Sequence, residues 1–260
     1  MGHIINSKRI KDKVSWYKTI MVNNVHADVL QEKERVGSLS RIREIVFGAQ
    51  DGLLVPLGVI STVAGAFNNH FVIVAGLSEA LAGAFSMATG AYLSSEAERQ
   101  VHTAEINKER AGILKRPENE KKELVAILDK DGMKKQDAQK IAEIMGQNTK
   151  AFINMMVHLE LGVDPHPART PIGDALFVGG SYLISAGIPL FPYFFLTGKT
   201  AIAVSIALTL IALFGLGLLK AKMALLSYLK SGFQVLLIGS GAGIGGYFLG
   251  TLLPSLLGIK

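Results

Sequence analysis

The sequence predicts an all-α, polytopic membrane protein with five transmembrane helices and, between the second and third, a cytoplasmic helical insert. Three observations predict it. Of 260 residues, 49% are hydrophobic and 18% charged, with a mean hydropathy of +0.35, too apolar for a soluble chain of this size. The charges are nearly absent from five stretches, each long enough for the roughly 20 helical residues that cross a hydrocarbon core of about 30 Å. The basic residues, finally, fall almost entirely on one side of those stretches.

The five stretches run Ile45 to Phe67, Phe71 to Leu93, Ala175 to Leu196, Thr200 to Leu219 and Gly232 to Gly258. The last three hold no Asp, Glu, Lys or Arg, whereas the first two hold one acid each, Asp51 and Glu79. The segment before them is polar and basic rather than a cleavable signal pattern, so the first span is expected to serve as its own insertion signal. Asn6 also stands where a myristoylation pattern needs Ser or Thr.

Orientation follows from Lys and Arg, which resist translocation. Nine precede the first span, thirteen lie in Ser94 to Asp174 and three lie between the fourth and fifth spans, so alternation puts twenty-five of twenty-seven on one side. The N-terminus and the long second loop are therefore expected in the cytoplasm and the C-terminus on the far side. Topology also accounts for the pI near 9.4, and with no zinc knuckle or aromatic-studded basic strand a nucleic-acid partner is not expected.

The domain reading is residues 1–44 as a cytoplasmic segment, 45–93 as spans one and two, 94–173 as the insert and 174–260 as spans three to five. Within the insert, apolar residues recur at helical spacing, as in Leu124, Ile127, Leu128 and Ile141, Ile144, Met145. We read three or four helices. The first continues span two through Leu114, Pro117 opens the next, and Gly132 and Gly146 punctuate the remainder. Residues 162–171 form a proline-rich return to span three. For residues 1–44 two readings stand, an amphipathic surface helix built on Trp16, Ile20, Val25 and Leu30 or a solvated tail.

An ionisable side chain within a span costs about 2.5–3.5 kcal/mol at the bilayer centre, so it faces a cavity, a partner or an ion. Asp51 lies roughly 9 Å in from the cytoplasmic edge at 1.5 Å per residue, Glu79 near the midplane, and Met87 back at about the depth of Asp51. Together they line one route; taken singly, an acid can pair within the bundle and Met87 can be core filling. Pro56 frees a carbonyl within span one. Gly76, Gly83 and Gly90 recur every seven residues, a stripe that suits either intramolecular packing or a dimer seam.

A second acidic set lies in the insert. Glu105 and Glu109 share a helix face, as do Glu120 and Glu123, and Met156 stands one turn before Glu160, beside Met155. Carboxylates with thioethers suit a borderline cation such as ferrous iron better than calcium; solvated acidic faces and core methionines are the alternative. His102 and His158 are read as bystanders. With no cysteine, thiolate sites and disulfides are excluded. Gly241 to Gly246 spells a dinucleotide motif but lies in an uncharged span, and Asp129 to Gly132 lacks the remaining ligands of a calcium loop. No Ser, His and Asp constellation marks an enzyme.

Three segments resemble the vacuolar iron transporter family. They are Asp51-Gly-Leu-Leu-Val-Pro56, then Gly76-Leu-Ser-Glu79 through Gly83, Met87 and Gly90-Ala-Tyr92, then Met155-Met156-Val-His-Leu-Glu160-Leu-Gly162. The resemblance runs from about Arg43 to the last span. It implies a five-span protomer, a homodimer with its ion path between subunits, and proton-coupled export of ferrous iron, sometimes manganese, from the cytosol. Carried over by motif, Asp51, Glu79 and Met87 line the membrane path, while Glu109, Glu120, Glu123 and Glu160 bind metal in the insert with Met155 and Met156 beside them.

In one place the chain departs from that pattern: three residues after Glu109 the family has a glutamate and this chain has Gly112. Either Glu105 substitutes from one turn earlier, or the insert binds fewer ions or binds them more weakly. The expectation is thus a divalent-metal and proton antiporter in a cell or vacuolar-type membrane. Its transported ion is Fe2+, with Mn2+, Zn2+ or Co2+ as alternatives, and no cofactor is tightly bound. A metal-responsive sensor or scaffold without transport is the rival.

Overall fold

In the computed structural model, four helices are long and apolar enough to cross a membrane. The structure describes residue 37 and residues 41–64, 68–164 and 169–241. The segment read as a surface helix or tail, and the fifth stretch beyond residue 241, lie outside the described residues. In order the helices are α1 (Ile42–Ala64), α2 (Asn69–Lys115), α3 (Pro117–Lys130), α4 (Lys135–Gly146), α5 (Thr149–Glu160), α6 (Pro171–Leu190) and α7 (Gly198–Ala224). A 3-10 turn, Phe191–Phe194, follows α6, and residues 228–241 are helical after α7. No strand occurs among the described residues, so what is described is an all-helical membrane protein. It divides into two compact units, Met1–Met87 with Phe177–Lys260, and Ala88–Leu176.

The first unit turns large apolar side chains outward. Phe85, Ile184, Ile211 and Leu237 are each about two-thirds exposed or more, which lipid accepts and water would not. Without a hydrophobic force between helices, packing relies on close approach. Gly48 and Gly52 supply it for α1: a Cβ on either would run into the backbone carbonyl of Val178 or of Tyr182 in α6. Pro56 follows one turn later, so the Gly52 carbonyl receives no hydrogen bond from position 56. Gly217 of α7 likewise fits against the backbone of Ser231 and Gly232.

Several polar groups in this unit are paired with backbone carbonyls. Ser205 of α7 donates to the carbonyl of Pro189 at 2.6 Å, where α6 is ending and that oxygen lacks a helical donor. Asn69, the first residue of α2, donates through its amide to the carbonyls of Tyr193 (2.9 Å) and Leu196 (2.5 Å), fixing the 3-10 turn. At the start of α1, the Arg41 guanidinium lies 4.8 Å over the ring of Phe177.

The second unit has a water-soluble pattern. Ile113, Leu124, Ala142, Phe152, Ile153, Met156 and Val157 form its core, one stripe from each helix, while the lysines face out. Pro117 occupies the first turn of α3, where its missing N–H costs nothing, and Asn148 caps α5 by accepting from the Ala151 N–H at 3.1 Å. Gly132 takes a φ of 95° in the turn after α3, a conformation open to glycine. Asp174, almost fully buried, accepts from Ser95 at 2.8 Å and pairs with Arg169 at 3.3 Å, so the start of α6 is tied to α2.

The α1–α6 contact yields a stability prediction. Gly52→Ala places a methyl against the Tyr182 backbone, which has no rotamer with which to yield, and should cost about 1–3 kcal/mol as overpacking. Thermal unfolding of the purified protein in detergent should therefore begin at lower temperature. Gly58→Ala, where a Cβ inside the same helix meets nothing within 4 Å, should leave it unchanged or raise it slightly through helix propensity.

Candidate metal centre

Tyr182 organises the intramembrane residues of the first unit. It is 2% exposed, and its hydroxyl donates to Glu79 Oε1 at 2.5 Å. Its ring lies where a Cβ on Gly83 would be, one turn beyond Glu79 on α2, so that glycine makes the space the phenol fills. Met87 packs against the same small cluster of Ala80, Ala84, Tyr182 and Ala186. The Tyr182 backbone, in turn, abuts Gly52, the residue after Asp51.

Asp51, Glu79 and Met87 are therefore grouped around one tyrosine, each only partly buried. Glu79 Oε2 is buried and has no hydrogen-bond partner among the described residues. One oxygen of that carboxylate is held and the other is left open. Tyr182 is the residue that sequence reasoning missed. A tyrosine in an uncharged span, 103 positions from its partner, carries no spacing signal.

In the second unit three helices contribute one acid each. Oxygens of Glu109 (α2), Glu120 (α3) and Glu160 (α5) all lie within 4.8 Å of one another. Glu120 is 8% exposed, and both its Oε2 and Glu109 Oε1 are buried with no hydrogen-bond partner among the described residues. Burial and the neighbouring Glu160, Glu120 and Glu123 push the Glu109 carboxyl up to about 7. Glu120 and Glu160 move upward as well, first from burial and then from the charge of Glu123. Three carboxylates this close either share protons or hold a cation.

The remaining insert residues are distributed differently. Glu105 is exposed and pairs with Lys108 at 3.3 Å, and Glu123 is exposed but close enough to act on all three acids through its charge. Met156 is completely buried in the apolar core and Met155 packs partly buried against it. His158 is exposed and His102 half-buried.

The described molecule is thus a helical membrane protein with a tyrosine-bound carboxylate among its spans and an acidic cluster in a compact helical unit. A sequence model of the VIT family matches residues 42–251, and the chain belongs to that family, which is one of transporters rather than enzymes. Similar proteins include vacuolar iron transporter 1 of Tulipa gesneriana, 29% identical over 88% of this chain and 94% of the relative. Vacuolar iron transporter 1 of Oryza sativa subsp. japonica is 30% identical over 79% of this chain and 82% of its own length. Protein CCC1 of Saccharomyces cerevisiae is 25% identical over 82% and 69%.

The acidic cluster predicts a pH dependence of defined sign. Because Glu109 is shifted upward from its ordinary 4.5, the folded state holds a proton there that the unfolded chain has lost. Its contribution to stability is complete below 4.5 and disappears as pH rises through about 7. A cation reverses the preference, since binding requires the ionised form. Mn2+ affinity of the purified protein should rise up to roughly tenfold per pH unit below about pH 7, with proton release seen by calorimetry in buffers of different ionisation enthalpy. Glu109→Gln should flatten the profile; an equally steep profile in that variant would reject the assignment.

Proposed function

We propose that the protein carries divalent metal, ferrous iron foremost and manganese as a second substrate, out of the cytosol in exchange for protons. The observation that carries this reading is Glu79: a carboxylate in an apolar span with one oxygen held by Tyr182 and the other buried and unpartnered among the described residues. A bare anion in such surroundings is costly, so the group requires a counter-charge, and a proton or a metal ion serves equally. Exchanging one for the other at the same oxygen is antiport. The names of the relatives, vacuolar iron transporters of plants among them, support iron as the cargo.

In this scheme the second unit is cytosolic and gathers metal at Glu109, Glu120 and Glu160, with Glu123 and Glu105 adding negative charge around them. The ion then passes to Asp51 and Met87 and on to Glu79, where the soft sulfur favours iron over magnesium or calcium. Tyr182 keeps Glu79 in one rotamer by donating to Oε1, leaving Oε2 to the cargo. The protomer works as a homodimer, with the N-terminus cytoplasmic, in a vacuolar-type or cell membrane.

Proteoliposomes test this directly. With a pH gradient imposed, Fe2+ uptake and metal-dependent proton movement should both fall to the level of empty liposomes in Glu79→Gln and Asp51→Asn. Tyr182→Phe should retain transport but slow it roughly tenfold, the scale of one hydrogen bond to a charged group. Full coupling in Glu79→Gln would refute the antiport scheme. Metal binding without any flux in the wild type would instead identify a sensor.

A further inference from the structure

Gly112 lies in the last turn of α2, three residues beyond Glu109, and its backbone does not require glycine. Only Gly132, Gly162 and Gly198 adopt positive φ among the described glycines, so any L residue fits the conformation at 112. Apart from its own helix backbone, a Cβ there would meet only two atoms within 4 Å among the described residues, Glu120 Oε1 at 2.6 Å and Glu120 Cδ at 3.4 Å. Glycine is the poorest helix former after proline, so this position gives up helix propensity in a place where only one side chain benefits. That side chain belongs to the acidic cluster, is more than nine-tenths buried, and has Oε2 without a hydrogen-bond partner among the described residues.

We infer that Gly112 is the positioning residue of the carboxylate cluster: the notch left by its absent side chain seats Glu120, so that Glu109, Glu120 and Glu160 close on a single divalent ion. The inference rests on the reading of this cluster as a metal-gathering site. Metal–oxygen bonds of about 2.1 Å put ligand oxygens roughly 3.0 Å apart when adjacent and 4.2 Å apart when opposite. Oxygens already within 4.8 Å of one another need to close by at most about 1.8 Å to reach the adjacent spacing. With one carboxylate from each of three helices, the set suits one ion completed by water rather than a pair. Because the obstructing atoms are the tip of a flexible side chain, a methyl at 112 leaves the backbone alone and displaces the carboxylate. The helix gains propensity while the site loses its geometry.

That opposition is the test. Mn2+, which favours oxygen ligands and resists oxidation, is titrated into the full-length protein in detergent, and the binding lost on Glu109→Gln is scored as belonging to this cluster. Wild type should show one such ion per chain. Gly112→Ala should weaken it about tenfold, the low end for disturbing the support of a metal ligand. Thermal stability of the metal-free variant should hold or rise. Gly112→Ala combined with Glu120→Asp, which withdraws the carboxylate by one methylene, should recover part of the affinity. Unchanged Mn2+ affinity in Gly112→Ala, two or more Glu109-dependent ions in wild type, or metal-free stability falling together with affinity would each overturn the inference and leave the gathering site standing. If wild type holds no Glu109-dependent Mn2+ at all, the gathering site falls as well, and that result is distinguishable because it appears before any change at 112.

Discussion

A carboxylate removed from water needs either a donor or a counter-charge, and this requirement governs both polar centres of the protein. Among the spans it is met by one phenol, whose proton occupies a single oxygen of Glu79. At the acidic cluster of the second unit no such hydroxyl donor lies among the described residues. Glu109, Glu120 and Glu160 face one another instead, and the cost appears as a Glu109 proton held up to about pH 7. The first arrangement fixes one rotamer; the second leaves a cluster whose charge state follows what is bound in it.

Both centres depend on residues that contribute no side chain. Gly52 admits the backbone of Tyr182 to the surface of α1, and Gly83 admits its ring to the surface of α2, so the hydroxyl arrives at Glu79 from a helix more than a hundred residues away. Gly112 stands in the same relation to Glu120. In each case a polar atom is brought to a chosen position by leaving space, and the rigidity of the surrounding packing turns that space into aim.

Much of the fold was legible from the chain. Apolar windows of about 20 residues found the four spans described, and Pro117, Gly132 and Gly146 marked helix boundaries because each changes what the backbone can do. The acids inside spans were conspicuous for the same reason that they are expensive. Side-chain partnership was much less legible. Helical spacing put Glu105 with Glu109 and Glu120 with Glu123, yet the cluster takes one acid from each pair; Glu105 turns to Lys108 and Glu123 to solvent. Spacing also put Met156 on a face with Glu160, but a face about 100° wide includes both core and rim, and Met156 lies in the core. Periodicity says which residues share a side of a helix; which neighbour that side meets is a tertiary fact, and Tyr182 is its clearest instance.

The amide of Asn69 has a consequence for biogenesis. It grips the carbonyls of Tyr193 and Leu196, and the ribosome delivers it 124 residues before Tyr193. When the second hydrophobic hairpin emerges from the translocon, its clamp has long been waiting at the head of an earlier segment. The turn that leads into α7 is thus held by a residue synthesised with the first hairpin.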